Sequence, residues 1–543
     1  MNSKMNSKKS GFQDLAIAVL ILILSGAAVD PAHAQVSGAT LSGTVTDGSG
    51  ALLTNVQVSV KNTGTRVTRE TVVDSAGFYS VPNLLPGDYE VTFSAPGFKT
   101  ALRSGITLTV GLQQVLDISL QLGETTQRIE VSGAPPSVEA SSSSLDAVVN
   151  SRTVVDLPLN GRDWTSLAVL QPGVDAVLTQ QPNGVTASRA NRGFGAQLTV
   201  SGTRPQLNNY RLDGISIVDY AGGAPGSVLG IALGVDAIQE FSVLTANASA
   251  EYGRTAGGII NAITRSGSDQ FHGTVYEFLR NNDLDAKNFF DQGSAPPFKR
   301  NQFGASAGGP ILKDKTFFFA DYEGFRQTQG TTNVDLVPSA DARNGMIHNS
   351  DGTTTTVTVS PLVEPFLAFY PLPNGGLVGT GDTGKYSIAT TNVSNEDFAT
   401  LKIDHKFSDA DGLAGTWFWD KALNDAPDSL NQWVIGNRSF RTMTSVQETH
   451  VFSPALVNTM RGGFNRIVAD SNFTVSVINP LADTVSPLYS AFPGEPAPGV
   501  KVSGLTTFNG GVPLISKLCS IRSKAKPNFI ECAPFVRNAS SYA

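Results

Sequence analysis

The sequence predicts a mainly β chain in consecutive parts: a small β-sandwich, a mixed α/β segment, and part of a transmembrane antiparallel β-barrel. Three observations predict it. Short apolar segments at period two recur about every ten residues near the N-terminus, as half-buried strands do. Glycine is frequent, at 54 of 543 residues, while only 16% of residues are charged. From Phe271 onward longer segments alternate apolar and polar residues and gather aromatic clusters, the pattern of outer-membrane strands.

The first residues read as an export signal. Lys4, Lys8 and Lys9 precede an uncharged apolar run from Leu15 to Leu24, and Ala32-His33-Ala34 ends the segment. A basic start, a short apolar core and small residues predict a signal peptide over 1–34, cleaved between Ala34 and Gln35. The core is too short for the ~20 residues of a spanning helix. A net charge of -7 gives no basic stripe for nucleic acid. Mean hydropathy of -0.04 excludes a multi-helix membrane protein. Cys519 and Cys532, the only cysteines, are no disulfide framework.

Residues 35–122 carry the sandwich. Thr40 to Asp47 reads as a strand with Leu41, Gly43 and Val45 on one face. Val56, Val58 and Val60 mark a second, Tyr79 and Val81 a third, Tyr89, Val91 and Phe93 a fourth, and Ile106, Leu108 and Val110 a fifth. Val115 to Leu122 closes the set, and Asp47-Gly48 and Pro86-Gly87 supply turns. The series Gly43-Thr44-Val45-Thr46-Asp47, Asp74-Ser75-Ala76-Gly77-Phe78-Tyr79, Leu85-Pro86-Gly87-Asp88-Tyr89 and Pro96-Gly97-Phe98 resembles the carboxypeptidase-regulatory-like domain. The resemblance implies a transthyretin- or prealbumin-like sandwich of the carbohydrate-binding-like kind, with the rings of Tyr79 and Tyr89 capping its core. It does not imply a peptidase. His33, His272, His348, His405 and His450 are scattered, none is followed by Glu at the third residue, and none lies in this domain. Carbohydrate binding would rest on fold analogy alone.

Residues 123–150 read as a polar linker with Pro135-Pro136 and a serine run from Ser141 to Ser144. Within it Arg128-Ile129-Glu130-Val131 is a short extended patch. The segment 151–268 then runs through Asp156-Leu157-Pro158-Leu159-Asn160-Gly161-Arg162-Asp163, Gln171-Pro172-Gly173-Val174 and Leu198 to Arg204. It continues through Tyr210-Arg211-Leu212-Asp213-Gly214-Ile215, Val235 to Val243 and Glu251-Tyr252-Gly253-Arg254, ending at Gly257-Gly258-Ile259-Ile260-Asn261-Ala262-Ile263-Thr264. These pieces, in this order, resemble the plug of TonB-dependent receptors. The resemblance implies outer-membrane lipid and a TonB-type periplasmic coupling protein as partners. It offers Arg128, Ile129, Glu130 and Val131 as a candidate coupling segment, pairing by strand addition; a plain flexible linker is the alternative. The glycine- and alanine-rich stretch from Ala221 to Gly234 carries no ligand signature.

Over 269–516, Ala399, Leu401, Ile403 and Phe407 alternate with Thr400, Lys402, Asp404 and Lys406, one face suited to lipid and the other to a wet lumen. Phe317 to Phe319 and Trp417 to Trp419 are expected as interface aromatics. Asn301-Gln302-Phe303-Gly304, Gly308-Gly309-Pro310-Ile311 and Asp314 to Phe319 resemble the first barrel strands of the same receptors, and Phe452-Ser453-Pro454 with Val457-Asn458 a later pair. The family closes its barrel with about 22 strands. At roughly 20 to 30 residues per strand and connection, this segment has room for about eight to ten. The tail 517–543 loses alternation and gathers Lys517, Arg522, Lys524 and Lys526. A truncated or frame-shifted receptor, or a fragment of one, is the expectation.

The functional expectation is an outer-membrane receptor, with its sandwich in the periplasm, for energy-coupled uptake of a bulky ligand such as an oligosaccharide or a metal chelate. The alternatives are an Oar-like surface or secretion role, and a periplasmic carbohydrate- or protein-binding module with a degenerate remainder. No complete phosphate-cradling loop and no metal-ligand spacing is legible, so no enzyme, cofactor, catalytic residue or metal site is expected.

Overall fold

The computed structural model describes residues 38–123, 128–132, 145–157, 159, 161–178, 196–218, 224–248, 252–253, 255–287, 289, 295–453, 456–470, 476–479, 502–507 and 517–523. The expected cleavage site at Ala34 and Gln35, residues 221–223, and the tail beyond 523 lie outside these.

The sandwich forms from β1 (Ala39–Asp47), β2 (Gln57–Asn62), β3 (Thr68–Val72), β4 (Phe78–Leu84), β5 (Gly87–Ser94), β6 (Thr100–Leu108), β7 (Gln113–Val115) and β8 (Ile118–Leu120). One sheet has the order β4-β1-β7, with β8 also on β1. The other runs β3-β2-β5-β6-β9, where β9 is Arg128–Ser132. Leu41, Val45, Val58, Val60, Val91 and Phe93 are fully buried between them, as period two dictates. Gly43 shares the inward face of β1 because a Cβ there would run into the Leu116 carbonyl. Tyr79 caps the core: its ring packs edge-on against Phe93 at 5.5 Å, and its hydroxyl donates to the Leu116 carbonyl at 2.7 Å. Tyr89 donates likewise to Leu85 O at 2.7 Å.

The next unit holds β10 (Leu145–Val149), helix α1 (Ser151–Asp156), β11 (Val174–Leu178), β12 (Ala196–Val200), β13 (Asn209–Leu212), β14 (Ile215–Ser216), β15 (Ile238–Ala246) and β16 (Ile259–Thr264). Its main sheet has the order β10-β15-β16-β13-β14, and β11 pairs with β12. Asn150 caps α1 by accepting from Thr153 N at 3.0 Å, satisfying a donor the short helix leaves open. Asp163 does the same for a 3-10 turn over Trp164–Leu170, through Thr165 N at 3.0 Å.

The third unit is one antiparallel sheet. Its strands are β17 (His272–Asn281), β18 (Phe298–Leu312), β19 (Thr316–Pro338), β23 (Thr383–Lys406), β24 (Asp411–Pro427), β25 (Trp433–Ser453), β26 (Leu456–Asp470) and β28 (Lys517–Ser523), paired in that order. Short β22 (Leu377–Val378) and β27 (Ser476–Val477) add to β23 and β25, and β20 (Met346–His348) with β21 (Thr354–Thr356) makes a separate hairpin. The sheet is open: among the described residues β17 pairs only with β18. No described helix is long and apolar enough to cross a membrane.

Alternation sorts the sheet's two faces. Glu323, Glu396, Lys402, Asp420 and Arg441 are buried on the inner face, against which the mixed unit packs. Leu401, Ile403, Trp417, Val446 and Met460 are exposed on the outer one. The aromatic triplets do not act as expected. Phe317, Phe319 and Phe418 turn inward and are buried, since a pleated strand cannot point three neighbours the same way. Phe418 stacks on Phe398 at 6.0 Å beside the mixed unit.

Connections at one end of the sheet are all short (313–315, 407–410, 454–455), while at the other three of the four are long (282–297, 339–382, 471–516) and one is short (428–432). The sandwich packs at the short-turn end. Asn83 Nδ2 donates to Thr449 and Thr459 hydroxyls, each at 3.2 Å, and Asp269 N donates to Gly64 O at 3.1 Å. Val110 N–H donates to Glu240 of β15, joining sandwich to mixed unit.

Burial pushes the Glu240 carboxyl up to about 7, against the lowering effect of that Val110 N–H. The folded chain therefore binds more protons here than the unfolded chain between the ordinary Glu value of 4.5 and about 7. Stability contributed by this junction is present below that window and falls as pH rises through it. Denaturation series across the window should show the fall, and Glu240→Gln should flatten it; an unchanged slope in the variant would refute the assignment.

Candidate functional site

The site is the interface between the mixed unit and the inner wall of the sheet, where three buried polar stations are set among apolar contacts from Phe319, Phe398 and Phe418. The first centres on Arg162. Gly161 and Arg162 both have left-handed backbone, with φ of 80° and 52°, in the loop that brings the arginine to the wall. Its guanidinium pairs with Asp236 at 2.5 Å and with Glu323 of β19 at 3.0 Å, and lies 4.1 Å from the Tyr276 ring centroid. Glu323 also accepts from Gly234 N at 3.0 Å and from Gln302 Nε2 at 2.7 Å, while Gln302 donates to Gly161 O at 3.1 Å. Gly234 has to be glycine: its φ is 95°, and a Cβ would meet the Phe398 ring at 2.5 Å.

The second station is the Asp213-Gly214 turn. Asp213 accepts from Thr264 N at 3.0 Å and from its hydroxyl at 2.6 Å, tying β13 to the end of β16. Lys402 of β23 reaches in from the wall, donating to Thr264 O at 2.9 Å and lying 3.9 Å from Asp213. The third station is the loop through Ser227. Ser227 donates to Glu396 at 2.8 Å and Val228 N donates to Ser439 Oγ at 3.1 Å, beside the buried Arg441–Asp420 pair. The part of 221–234 that carried no ligand signature is thus a wall-docking loop. The partners of Ser227 and Val228 sit 169 and 211 positions away, so spacing could not reveal them.

The sequence-predicted coupling residues Arg128, Ile129, Glu130 and Val131 are not loose chain. They form β9, parallel to β6 with Arg128 opposite Thr100 and Val131 opposite Arg103, as the outermost strand of the sandwich sheet. They lie apart from the three stations. A serine pattern of hydrolase type, Gly304-Ala305-Ser306-Ala307-Gly308, also occurs, but in mid-strand β18 rather than at a strand-to-helix elbow. Its Ser306 hydroxyl pairs with Thr274 at 2.8 Å, and no histidine partner stands beside it among the described residues.

A transmembrane-type sheet whose inner wall is bridged by buried ion pairs to a separately folded unit defines an outer-membrane barrel protein with a plug. Comparison with known proteins agrees. The carboxypeptidase regulatory-like domain matches over residues 40–121, the TonB-dependent receptor plug domain over 168–259 and the outer membrane beta barrel domain over 263–521. The chain is 29% identical over 358 residues to the TonB-dependent transporter Oar of Myxococcus xanthus, covering 63% of this chain and 31% of that protein. It is 24% identical over 288 residues to the probable TonB-dependent siderophore receptor PirA of Acinetobacter baumannii, covering 51% and 36%. The chain thus spans about a third of the length of these curated relatives. Among solved structures, the outer membrane transporter YddB of Escherichia coli is similar over 61% of this chain and 40% of its own, at 16% identity and a TM-score of 0.39. With its three domains in this order the chain belongs with the TonB-dependent receptors and is an outer-membrane protein. Both curated relatives are transport proteins or receptors; neither is an enzyme.

Removing one member of a buried ion pair strands the other and costs about 3–5 kcal/mol. Arg162→Ala leaves Glu323 and Asp236 buried without their cation, so the plug should loosen in its seat. Limited proteolysis of outer-membrane fractions should then cut plug loops faster than in the parent chain, with the sandwich unaffected. Equal cutting rates would show that the station does not hold the plug.

Proposed function

We propose that this chain is a receptor for energy-coupled uptake of a bulky ligand, an oligosaccharide or a metal chelate, with the sandwich in the periplasm. The observation that carries the reading is the polar seat of the plug. Beside the apolar contacts of Phe319, Phe398 and Phe418, hydrogen bonds and ion pairs hold the plug, and these can be exchanged for water one at a time as it shifts. The short turns of the sheet face the periplasm in barrels of this type, and the sandwich lies at that end. A transporter and a siderophore receptor among the relatives support uptake and favour the chelate.

The strand Arg128–Ser132 is the coupling element in this reading. Its outer edge has no strand neighbour among the described residues, and a periplasmic TonB-type protein adds a strand there. Proline lacks the N–H a strand needs. In cells expressing the chain, uptake of radio-iron chelates and of labelled oligosaccharides is measured with and without an uncoupler. Uncoupler-sensitive uptake of one class, lost in Ile129→Pro at unchanged outer-membrane abundance, is expected. Uptake of neither class, together with altered surface or secreted proteins, would replace this reading with an export or surface role.

A further inference from the structure

The short-turn end of the sheet carries a motif twice that the transport reading leaves unused. His405-Lys406-Phe407-Ser408 leads out of β23, and His450-Val451-Phe452-Ser453 ends β25. In both, the phenylalanine packs edge-on against the histidine two residues earlier, with ring centroids 4.3 Å apart and interplanar angles of 77° and 69°. The packing fixes each imidazole and aims its Nδ1 at the neighbouring strand. There the two copies part. His405 Nδ1 meets a hydroxyl, Thr316 Oγ1, at 2.8 Å. His450 Nδ1 meets a carboxylate oxygen of Asp411 at 2.5 Å, directly opposite it in the β24–β25 register.

Glu448 stands two residues before His450 and so projects from the same face of β25. One possible ligand atom from each of Asp411, Glu448 and His450 lies within 4.8 Å of the other two, and all three residues are half-buried. Ser408 donates to the second Asp411 oxygen at 2.6 Å, which leaves the first aimed at the cluster. The sequence hid this set because Asp411 and His450 are 39 positions apart and meet only through the register.

We propose that Asp411, Glu448 and His450 form a binding site for a divalent cation of borderline softness, Zn²⁺ being the best match, which pins the β24–β25 hairpin at its periplasmic end. One imidazole and two carboxylates are a zinc donor set with a position left for water. Donors around tetrahedral zinc, at about 2.0–2.2 Å from the metal, stand roughly 3.4 Å apart. The three atoms, all within 4.8 Å of one another, stand close to that spacing, and the two carboxylates can turn toward the fixed imidazole. Ca²⁺ takes six or more oxygens, which this set does not offer. The pinned hairpin adjoins Thr449, to which the sandwich holds through Asn83, so the metal stiffens the rim on which the sandwich rests.

The test uses the full chain extracted from outer membranes in detergent, stripped with a chelator and titrated with Zn²⁺ by calorimetry and with Co²⁺ by visible absorption. Saturable binding at one equivalent is expected. His450→Ala should weaken it by more than the about 10- to 100-fold that losing an outer-shell partner costs, and His405→Ala should leave it within about twofold. Glu448→Gln, which keeps the side-chain volume, should also weaken it and decides the matter if His450→Ala fails to fold, as judged by protease resistance. Absence of saturable binding, binding indifferent to His450 and Glu448, or equal loss in His405→Ala would overturn the site.

Discussion

A strand that runs between lipid and a wet lumen can put polar side chains on one face only, and those side chains then need partners. The rest of this structure depends on that constraint. Glu323, Glu396, Asp420 and Lys402 are all buried on the inner wall, and each would be prohibitively costly there alone. Glu323 shows the solution most completely: a guanidinium, a backbone N–H and a side-chain amide converge on one carboxylate, and two of the three come from the plug. The plug is therefore part of how the wall is satisfied, and wall and plug specify each other's conformation. The left-handed turn at Arg162 serves Asp236 within the plug, and with the glycine at 234 it also delivers donors to the wall.

Much of the fold was legible because it is written in local periodicity. The sandwich strands, the Asp213-Gly214 turn and the lipid and lumen faces of β23 follow from period two and turn chemistry, and the structure places Leu401 and Lys402 on opposite faces as read. Local reading failed where one residue's role depends on a distant one. The aromatic triplets were expected at the membrane interface, yet pleating sends Phe319 and Phe418 inward, against the plug. Within the polar linker the extended patch read at Arg128 to Val131 is strand β9 of the sandwich sheet, and a second strand, β10, which was not read, belongs to the plug sheet. In β9 three polar residues alternate with Ile129 and Val131, enough to mark an extended patch but not its partner; the edge of β6 supplies that.

The site was less legible than the fold. Its anchors are ordinary residues at ordinary positions: an arginine after Asn-Gly, a serine in a glycine-rich loop, a glutamate on a barrel strand. What makes them a site is convergence across 74 to 211 positions, which sequence spacing cannot express. Motif order along the plug identified the family, and Arg162, Asp213 and Asp236 lie inside those motifs; their partners on the wall, and Ser227, carried none.

The attachment of the sandwich has a consequence in effective concentration. It touches the plug through Val110 and Glu240 and the rim through Asn83, a small contact that would hold two separate proteins only briefly. Only 12 positions separate Ser132 from Leu145, however, and joining two parts in one chain at so short a spacing keeps them at an effective concentration of about 1 mM. A contact with a dissociation constant of roughly 10 μM between free partners would then be closed about 99% of the time in the joined chain. The sandwich can in this way spend nearly all its time at the periplasmic mouth and still leave and return quickly, because each individual contact is weak.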